Sequence, residues 1–337
     1  MRTRTLGRGG VAVTELSFGA AGIGNLYTPV TDEQARAAVD AAWDAGIRYF
    51  DTAPHYGIGL SERRLGEALA GRDRSAYTVS TKVGRLLEPN EATGETGERR
   101  GDDLANGFAV PATHRRVWDF SADGVRRSLE DSLTRLGLDR VDVVYLHDPD
   151  DHGEQAFREA YPALERLRAE GVVGAIGAGM NQAAMLTRFV RDTDVDAVLC
   201  AGRYTLLDQG ALKGLLPEAA ARGTSVVVGG VFNSGLLADP RPGATYDYAA
   251  APRELLDRAY HLKAVAQRHG ITLRAAALAF PFGHPAVAGV LVGTRSPGEV
   301  RDTAEQFAVA VPAAFWKEVR AAGLLPDDVP VPGEEPA

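Results

Sequence analysis

One cysteine, Cys200, stands in 337 residues, so no internal disulfide can staple the chain, and a reducing compartment is expected. No apolar run approaches the roughly 18 residues that a membrane-spanning helix needs. The basic opening MRTRTLGRGG lacks the apolar segment that follows in a signal peptide, which makes the cytoplasm the expected location. Positive charge is short as well. Against 45 Asp and Glu there are 37 Lys and Arg, a formal charge of −8, where a nucleic-acid partner would demand a basic face. A Gly-rich dinucleotide fingerprint is also missing. In Gly19-Ala-Ala-Gly22-Ile-Gly24 the glycines come in the wrong order, and Gly174, Gly177 and Gly179 do not open a phosphate turn.

What the chain has in quantity is alternation. Short runs rich in β-branched and aromatic residues read as strands at 16–19, 48–51, 77–82, 141–147, 173–177, 196–200, 225–229 and 287–292. Between them, helices are expected at 31–45, 61–70, 121–136, 154–170, 182–192, 209–222, 253–269 and 297–307, with Thr31, Ser61 and Ser121 as N-caps. Eight such units without a linker predict an α/β fold, a single (β/α)8 TIM barrel over 1–325, rather than an open sheet. RTLGRGGVAVTEL alternates around Gly9-Gly10 and predicts an N-terminal β-hairpin closing the barrel floor. The proline-rich stretch 326–337 reads as a loose tail.

The segment 84–119 is too long for a passive connection. Its aromatic residues Phe108, His114 and Trp118, with Phe120 just beyond, favour a binding loop over disorder. It leaves the strand that carries Lys82 and is therefore expected to overhang the same rim.

That rim is where chemistry concentrates. Asp51, Lys82 and His147 each lie at the end of a short apolar run, so in a parallel barrel a carboxylate, an ammonium and an imidazole converge at one mouth. Tyr56 follows Asp51 by one short turn. A phenol is a weak acid, with an ordinary pKa of about 10. An ammonium nearby favours phenolate, a carboxylate holds that ammonium charged, and an imidazole aligns a substrate oxygen. The set suits moving one proton on or off a carbonyl or carbinol oxygen, with a hydride exchanged with a nicotinamide. No metal is required. His147 and Asp148 with Asp150, Asp151 and His152 look like ligands, but successive turn residues point apart, so a solvated acidic loop is expected. Cys200 reads as a buried apolar residue.

GIRYFDTAPHYGIGLSERRLG (46–66), Lys82, VDVVYLHDP (141–149) and GVLVGTRSPGEVRDT (289–303) together make the chain resemble the aldo-keto reductases over nearly its whole length. The resemblance implies Tyr56 as general acid/base, Lys82 and Asp51 as its tuners and His147 as the substrate-orienting group. Within the family, the stretch 115–150 and VFNSGLL (231–237) look most like bacterial sugar dehydrogenases of the D-threo-aldose and L-fucose 1-dehydrogenase kind, which oxidise an aldose at its anomeric carbon. The implied cofactor is a nicotinamide dinucleotide stretched across the barrel mouth. Asn181 would hold its carboxamide, Phe232 would replace the usual stacking aromatic, and Asn233, Ser234, Gly235 and Leu236 would run along the pyrophosphate. Gly293, Arg295 and Ser296 would receive the adenosine end, where a guanidinium and a hydroxyl lean towards NADP over NAD.

His55, Trp118 and Phe120 are candidate substrate contacts, and the partner is a small carbonyl or sugar molecule. Two other readings compete. One is a non-catalytic dinucleotide-binding barrel with a regulatory role. The other is an isomerase or aldolase with Lys82 as Schiff-base former, although an ammonium paired with Asp51 is a poor imine former. Oligomeric state is left open.

Overall fold

The computed structural model describes residues 1–90, 101–247 and 249–334. The chain opens with the expected hairpin, β1 (Thr3–Leu6) against β2 (Val11–Thr14). Three barrel strands follow: β3 (Leu16–Gly19), β4 (Tyr49–Asp51) and β5 (Thr78–Val83). An excursion then carries β6 (Arg85–Pro89), β7 (Asp102–Asp103), β8 (Phe108–Pro111) and β9 (His114–Trp118). The barrel resumes with β10 (Val143–His147), β11 (Ala175–Met180), β12 (Ala197–Ala201) and β13 (Ser225–Gly229). After a two-stranded ribbon, β14 (Thr245–Tyr246) with β15 (Ala249–Ala250), the last strand β16 (Val287–Gly293) lies between β13 and β3 and closes the ring. All barrel pairs are parallel.

Helices α1 (Asp32–Asp44), α2 (Leu60–Leu69) and α3 (Ala122–Leu136) cover the first strands. A short α4 (Gly153–Gln155) runs through a π-turn at Ala156–Ala160 into α5 (Tyr161–Ala169). Then come α6 (Ala183–Asp192), α7 (Leu215–Arg222), α8 (Arg253–Arg268), α9 (Leu273–Ala279), α10 (Pro297–Phe307) and α11 (Ala313–Ala321). Thr31 caps α1 in a reciprocal box with Gln34, and Ser121 caps α3 through Gly124 N–H, both as expected. Ser61 is not a cap. It lies inside α2, where its hydroxyl donates to Ala20 O and meets Thr52 Oγ1.

Strand periodicity decides what the barrel mouth contains. Alternate residues point inward and outward. Tyr49, Val143 and Tyr145 pack in the barrel interior, whereas Phe50, Val79, Val83, Val144 and Leu146 pack outward against the helices. Asp51, Lys82 and His147 share the inward parity and form the last inward layer at the C-terminal rim. At the other end, Leu6 and Val13 of the hairpin join the interior cluster, and Gly7 N–H bonds Ser225 Oγ at the start of β13.

The excursion overhangs the rim as expected, although its residues 91–100 lie outside the described residues. β6 and β9 pair antiparallel with Arg85 opposite Trp118. Residues 107–109 tie to the loop after β3: Tyr27 N–H donates to Gly107 O and Ala109 N–H to Asn25 O. The segment after Leu325, expected to be loose, is docked as far as Glu334. Val329 and Val331 are buried, and Arg320 bonds Val329 O and the Glu334 carboxylate. The apolar valines between the prolines supply the anchor.

One ion pair braces the layer under the mouth. The fully buried Glu62 carboxylate of α2 accepts from Thr81 Oγ1 of β5 at 2.8 Å and from Arg135 Nε of α3 at 2.5 Å. Removing one partner leaves a desolvated charge alone, whereas removing both does not. Glu62→Ala is therefore expected to cost about 3 kcal/mol. The double variant Glu62→Leu/Arg135→Leu should recover most of that loss, as read from urea unfolding midpoints. Equal losses in both variants would mean that packing, not charge, holds α2 and α3 together.

Candidate active site

Lys82 is the centre of the site. Its side chain is 2% exposed, and Nζ donates to Asp51 Oδ1 at 2.5 Å, Thr52 O at 3.1 Å and Tyr56 Oη at 3.1 Å. Three N–H groups meet three acceptors, which is the full capacity of an ammonium. Asp51 is fixed on its other side, because Oδ2 accepts from Ser80 Oγ at 2.7 Å. Tyr56 is brought over this cation by a left-handed run, Gly57, Ile58 and Gly59, with φ of 61°, 53° and 77°. A side chain at Gly57 would lie 2.2 Å from Gly24 O, so only glycine allows the turn. His147 completes the group, its ring edge-on to the Tyr56 ring at 5.8 Å between centroids.

Burial and the neighbouring cations set the protonation states. Burial, Arg85 and Lys82 hold His147 well below the ordinary imidazole range, and burial with Arg85, Arg116 and Lys82 pushes His55 down to about 2. Both rings are neutral at working pH. Lys82 is raised, because Asp51 and Tyr56 outweigh the burial that opposes its charge. Burial raises the Tyr56 phenol above its usual value, while Lys82 pulls it back. The expectation that Lys82 alone would lower the phenol is thus corrected: desolvation is the larger effect, and the ammonium limits it.

A second layer, with no local signal in the sequence, surrounds the four. Arg85 pairs with Asp148 and lies 4.2 Å over the Trp118 ring. Asp148 has a left-handed backbone (φ 43°), secured by its N–H to Gly179 O, and its Oδ2 lies 3.6 Å from His147 Nε2. It is therefore an ion-paired wall of the site, not part of a solvated loop. Arg116 grips Asp103 through both Nη atoms and donates to His55 O at 2.8 Å. Phe108 lies 6.1 Å from the Tyr56 ring and 5.2 Å from His55. Of the three candidate substrate contacts, His55 faces both Tyr56 and His147, and Trp118 is 42% exposed at the rim. Phe120 does not reach the site. It is fully buried, stacked behind Trp118 and lodged against Gly84, where a Cβ would meet its ring at 2.3 Å.

The far side of the mouth is fitted for an extended polar ligand. Asn181 follows the end of β11, half-buried. Asn233 is buried with Nδ2 on Gly202 O and Oδ1 without a protein partner, and Thr294 Oγ1 is equally unpartnered. Nothing lies within 4 Å of where a Cβ on Gly293 would point. These features suit a nicotinamide dinucleotide. Other expectations change. Asn233, Ser234 and Gly235 are left-handed, but the N–H groups of Gly235 and Leu236 close turns onto Phe232 O and Asn233 O instead of pointing at a ligand. The Leu236 side chain is fully buried in the core, and Phe232 packs partly against it. The Ser296 hydroxyl caps α10, and Arg295 is held by Glu299 through both its backbone N–H and Nε. Among the described residues no group of three or more His, Cys, Asp or Glu is placed to hold a metal. Burial pushes the Cys200 thiol up to about 12, so it is inert.

Known proteins share this architecture and sequence. Residues 15–323 match the Aldo/keto reductase family. A D-threo-aldose 1-dehydrogenase from a Pseudomonas species is 48% identical over 94% of this chain and 96% of its own length. A pyridoxal 4-dehydrogenase from Microbacterium luteolum is 41% identical over 96% and 97%. The structure of an aldo-keto reductase from Bacillus halodurans in its holo form superposes with a TM-score of 0.72 at 27% identity, covering 95% of this chain and 96% of that one. Family, barrel and mouth agree: the chain belongs to the aldo/keto reductase family and is an NAD(P)-dependent oxidoreductase.

Proposed function

We propose that the chain oxidises an aldose hemiacetal at its anomeric carbon, with Tyr56 as the group that moves the proton. The observation that carries this reading is the Lys82 ammonium, fully coordinated by Asp51, Thr52 and Tyr56. A cation so held stays charged and keeps one N–H on the phenol oxygen, which eases phenolate formation in a buried place. His147, neutral, offers a hydrogen bond to the substrate oxygen and aligns it with Tyr56. In oxidation Tyr56 takes the hydroxyl proton as the C–O bond becomes a carbonyl; the hydride leaving the carbon goes to the oxidised nicotinamide, which is the chemistry the cofactor supplies. In reduction Tyr56 returns the proton to the carbonyl oxygen. The sugar as substrate rests on the 48% identical relative, and the cytoplasm remains the proposed location. A Schiff base at Lys82 is disfavoured by the same three hydrogen bonds, and nothing favours a non-catalytic barrel.

On the cofactor we infer NAD rather than NADP, against the lean that Arg295 and Ser296 suggested. If the adenosine end lies at the start of α10, a 2′-phosphate there would meet the Glu299 carboxylate, which already holds Arg295 at 3.2 Å. A ribose 2′-hydroxyl suits that acid; a phosphate is repelled by it.

Tyr56→Phe is expected to lower kcat by about 10²–10⁴ with cofactor affinity kept. Turnover within a factor of three of the parent would remove Tyr56 from the mechanism. Because oxidation needs the phenol deprotonated and burial has raised it, kcat for oxidation should climb with pH past 9. No acid limb from His147 should appear near 6.5. Lys82→Met should move the alkaline limb higher still, since it removes the influence that pulls the phenol down.

Fluorescence titration should show NADH binding at least tenfold tighter than NADPH, a difference of about 1.4 kcal/mol or more. Glu299→Gln should narrow that gap. Tighter NADPH binding in the parent protein would restore Arg295 as a phosphate ligand.

A further inference from the structure

Resting on the aldose reading, we propose that a polar cavity beside the four central residues is the subsite for the hydroxyl-bearing side of the substrate. The described strands β6 to β9 of the excursion would then be the part of the chain that selects a polyhydroxylated hemiacetal over a plain one. The cavity holds about 380 Å³, within the range of small-molecule sites, and its lining includes His55, Arg85, Asp103, Asn106, Arg116 and Trp118. His55 is the wall it shares with the reaction centre. The His55 ring lies 6.0 Å from Tyr56 and 5.7 Å from His147, so the cavity begins one side chain away from the reaction centre, and a sugar whose reacting carbon sits at Tyr56 would reach it with its far side past His55.

The chemistry of the lining identifies the ligand class. Among the described residues most of the lining side chains carry polar groups, and Trp118, Ala112 and the arginine stems add apolar surface, which suits a ligand that bears both hydroxyls and C–H faces. Its guanidiniums are already neutralised: Arg116 by both oxygens of Asp103, Arg85 by Asp148, and Arg115 by Glu88 at 2.7 Å. An anionic ligand therefore finds no free cation in these three, whereas a neutral polyol can give hydrogen bonds to the carboxylates and take them from the guanidiniums. His55 Nδ1, Arg85 Nε and Arg116 Nε have no protein partner, which leaves polar groups unsatisfied in the side chains that form the wall. Trp118 is held between Phe120, His152 and Arg85, and the part of its ring that stays exposed adds rigid apolar surface for the C–H groups of a sugar. Arg116 also bonds His55 O, which fixes the cavity to the turn that carries Tyr56.

The test compares aldopyranoses with tetrahydropyran-2-ol, the same ring hemiacetal without further hydroxyls. The parent enzyme should prefer its best aldopyranose by at least a hundredfold in kcat/KM, as a site built for hydroxyls rejects an analogue lacking them. Trp118→Leu should shrink that ratio at least tenfold. Asn106→Ala, at an exposed position where the substitution removes the side-chain amide's hydrogen bond to Asp103 Oδ1 at 2.8 Å and the Arg116–Asp103 pair remains, should shrink it as well and keeps the test open if Trp118→Leu folds poorly. The chain has three tryptophans, and Trp118 is the one that lines the cavity. In the Tyr56→Phe protein loaded with oxidised cofactor, the aldose should therefore shift tryptophan emission, and Trp118→Phe should abolish the shift. Ratios unchanged in both folded variants, or emission that ignores the sugar, would overturn the subsite while leaving hemiacetal oxidation intact. Failure to oxidise either hemiacetal, alongside reduction of simple aldehydes, would overturn the aldose reading and the subsite with it.

Discussion

A buried ammonium is the constraint around which the mouth of this barrel is arranged. Taking a charge out of water costs several kcal/mol unless partners restore what hydration supplied. Lys82 finds all its partners on one neighbouring strand and the loop beyond it: Asp51, Thr52 O and Tyr56. Satisfying the cation therefore fixes the path of 51–56, and the left-handed Gly57-Ile58-Gly59 turn follows from having to lead the chain away again towards α2. Stability and chemistry use the same three hydrogen bonds. A proton-transfer group built this way cannot be loosened without exposing an unpaired charge.

The excursion adds a second set of charges, arranged on the same principle. Arg85 reaches Asp148 and Arg116 reaches Asp103, so each guanidinium brought near the rim arrives with its own carboxylate. The strained backbone at Asp148 is sustained by that pairing and by its N–H to Gly179 O. Ion pairs supply hydrogen-bonding groups of both kinds while leaving little net field, and that combination suits a neutral ligand rich in hydroxyls. The phenyl ring of Phe108 covers Tyr56 and His55 from the same excursion, so one insertion both dries the reaction centre and furnishes its polar neighbour.

The residues legible in the sequence were those governed by short periods. Asp51, Lys82 and His147 end apolar runs of the right parity, and period two carries them inward together. Trp118 and Phe120 have the same parity, yet one ends a strand at the rim and the other begins the turn into α3 beneath Gly84; nothing local separates them. Ser61 looked like a cap because it precedes a helical pattern, but the left-handed Gly59 had already started the helix. In α9 the buried residues Ala275, Ala276, Ala277 and Leu278 are consecutive, so no helical stripe betrays it. Arg85 and Asp148 are 63 residues apart and carry no pairwise signal. Glu299 is different. It stands four residues after Arg295 at the start of a helix, and the i,i+4 rule could have shown the guanidinium to be engaged.

The charge pattern also explains why one proton carrier suffices. Burial, and after it Arg85, Arg116 and Lys82, disfavours a charged imidazole at His55 and His147, and Asp51 and Tyr56 favour the protonated Lys82. With protonation of the imidazoles and deprotonation of the ammonium both disfavoured, proton exchange with the substrate falls to Tyr56. Burial alone would move its phenol further from ionisation, and Lys82 pulls it back towards the phenolate. Opposed in one pocket, the two effects leave a group that can run in both directions, which is what a reversible hydride transfer requires of its acid and base.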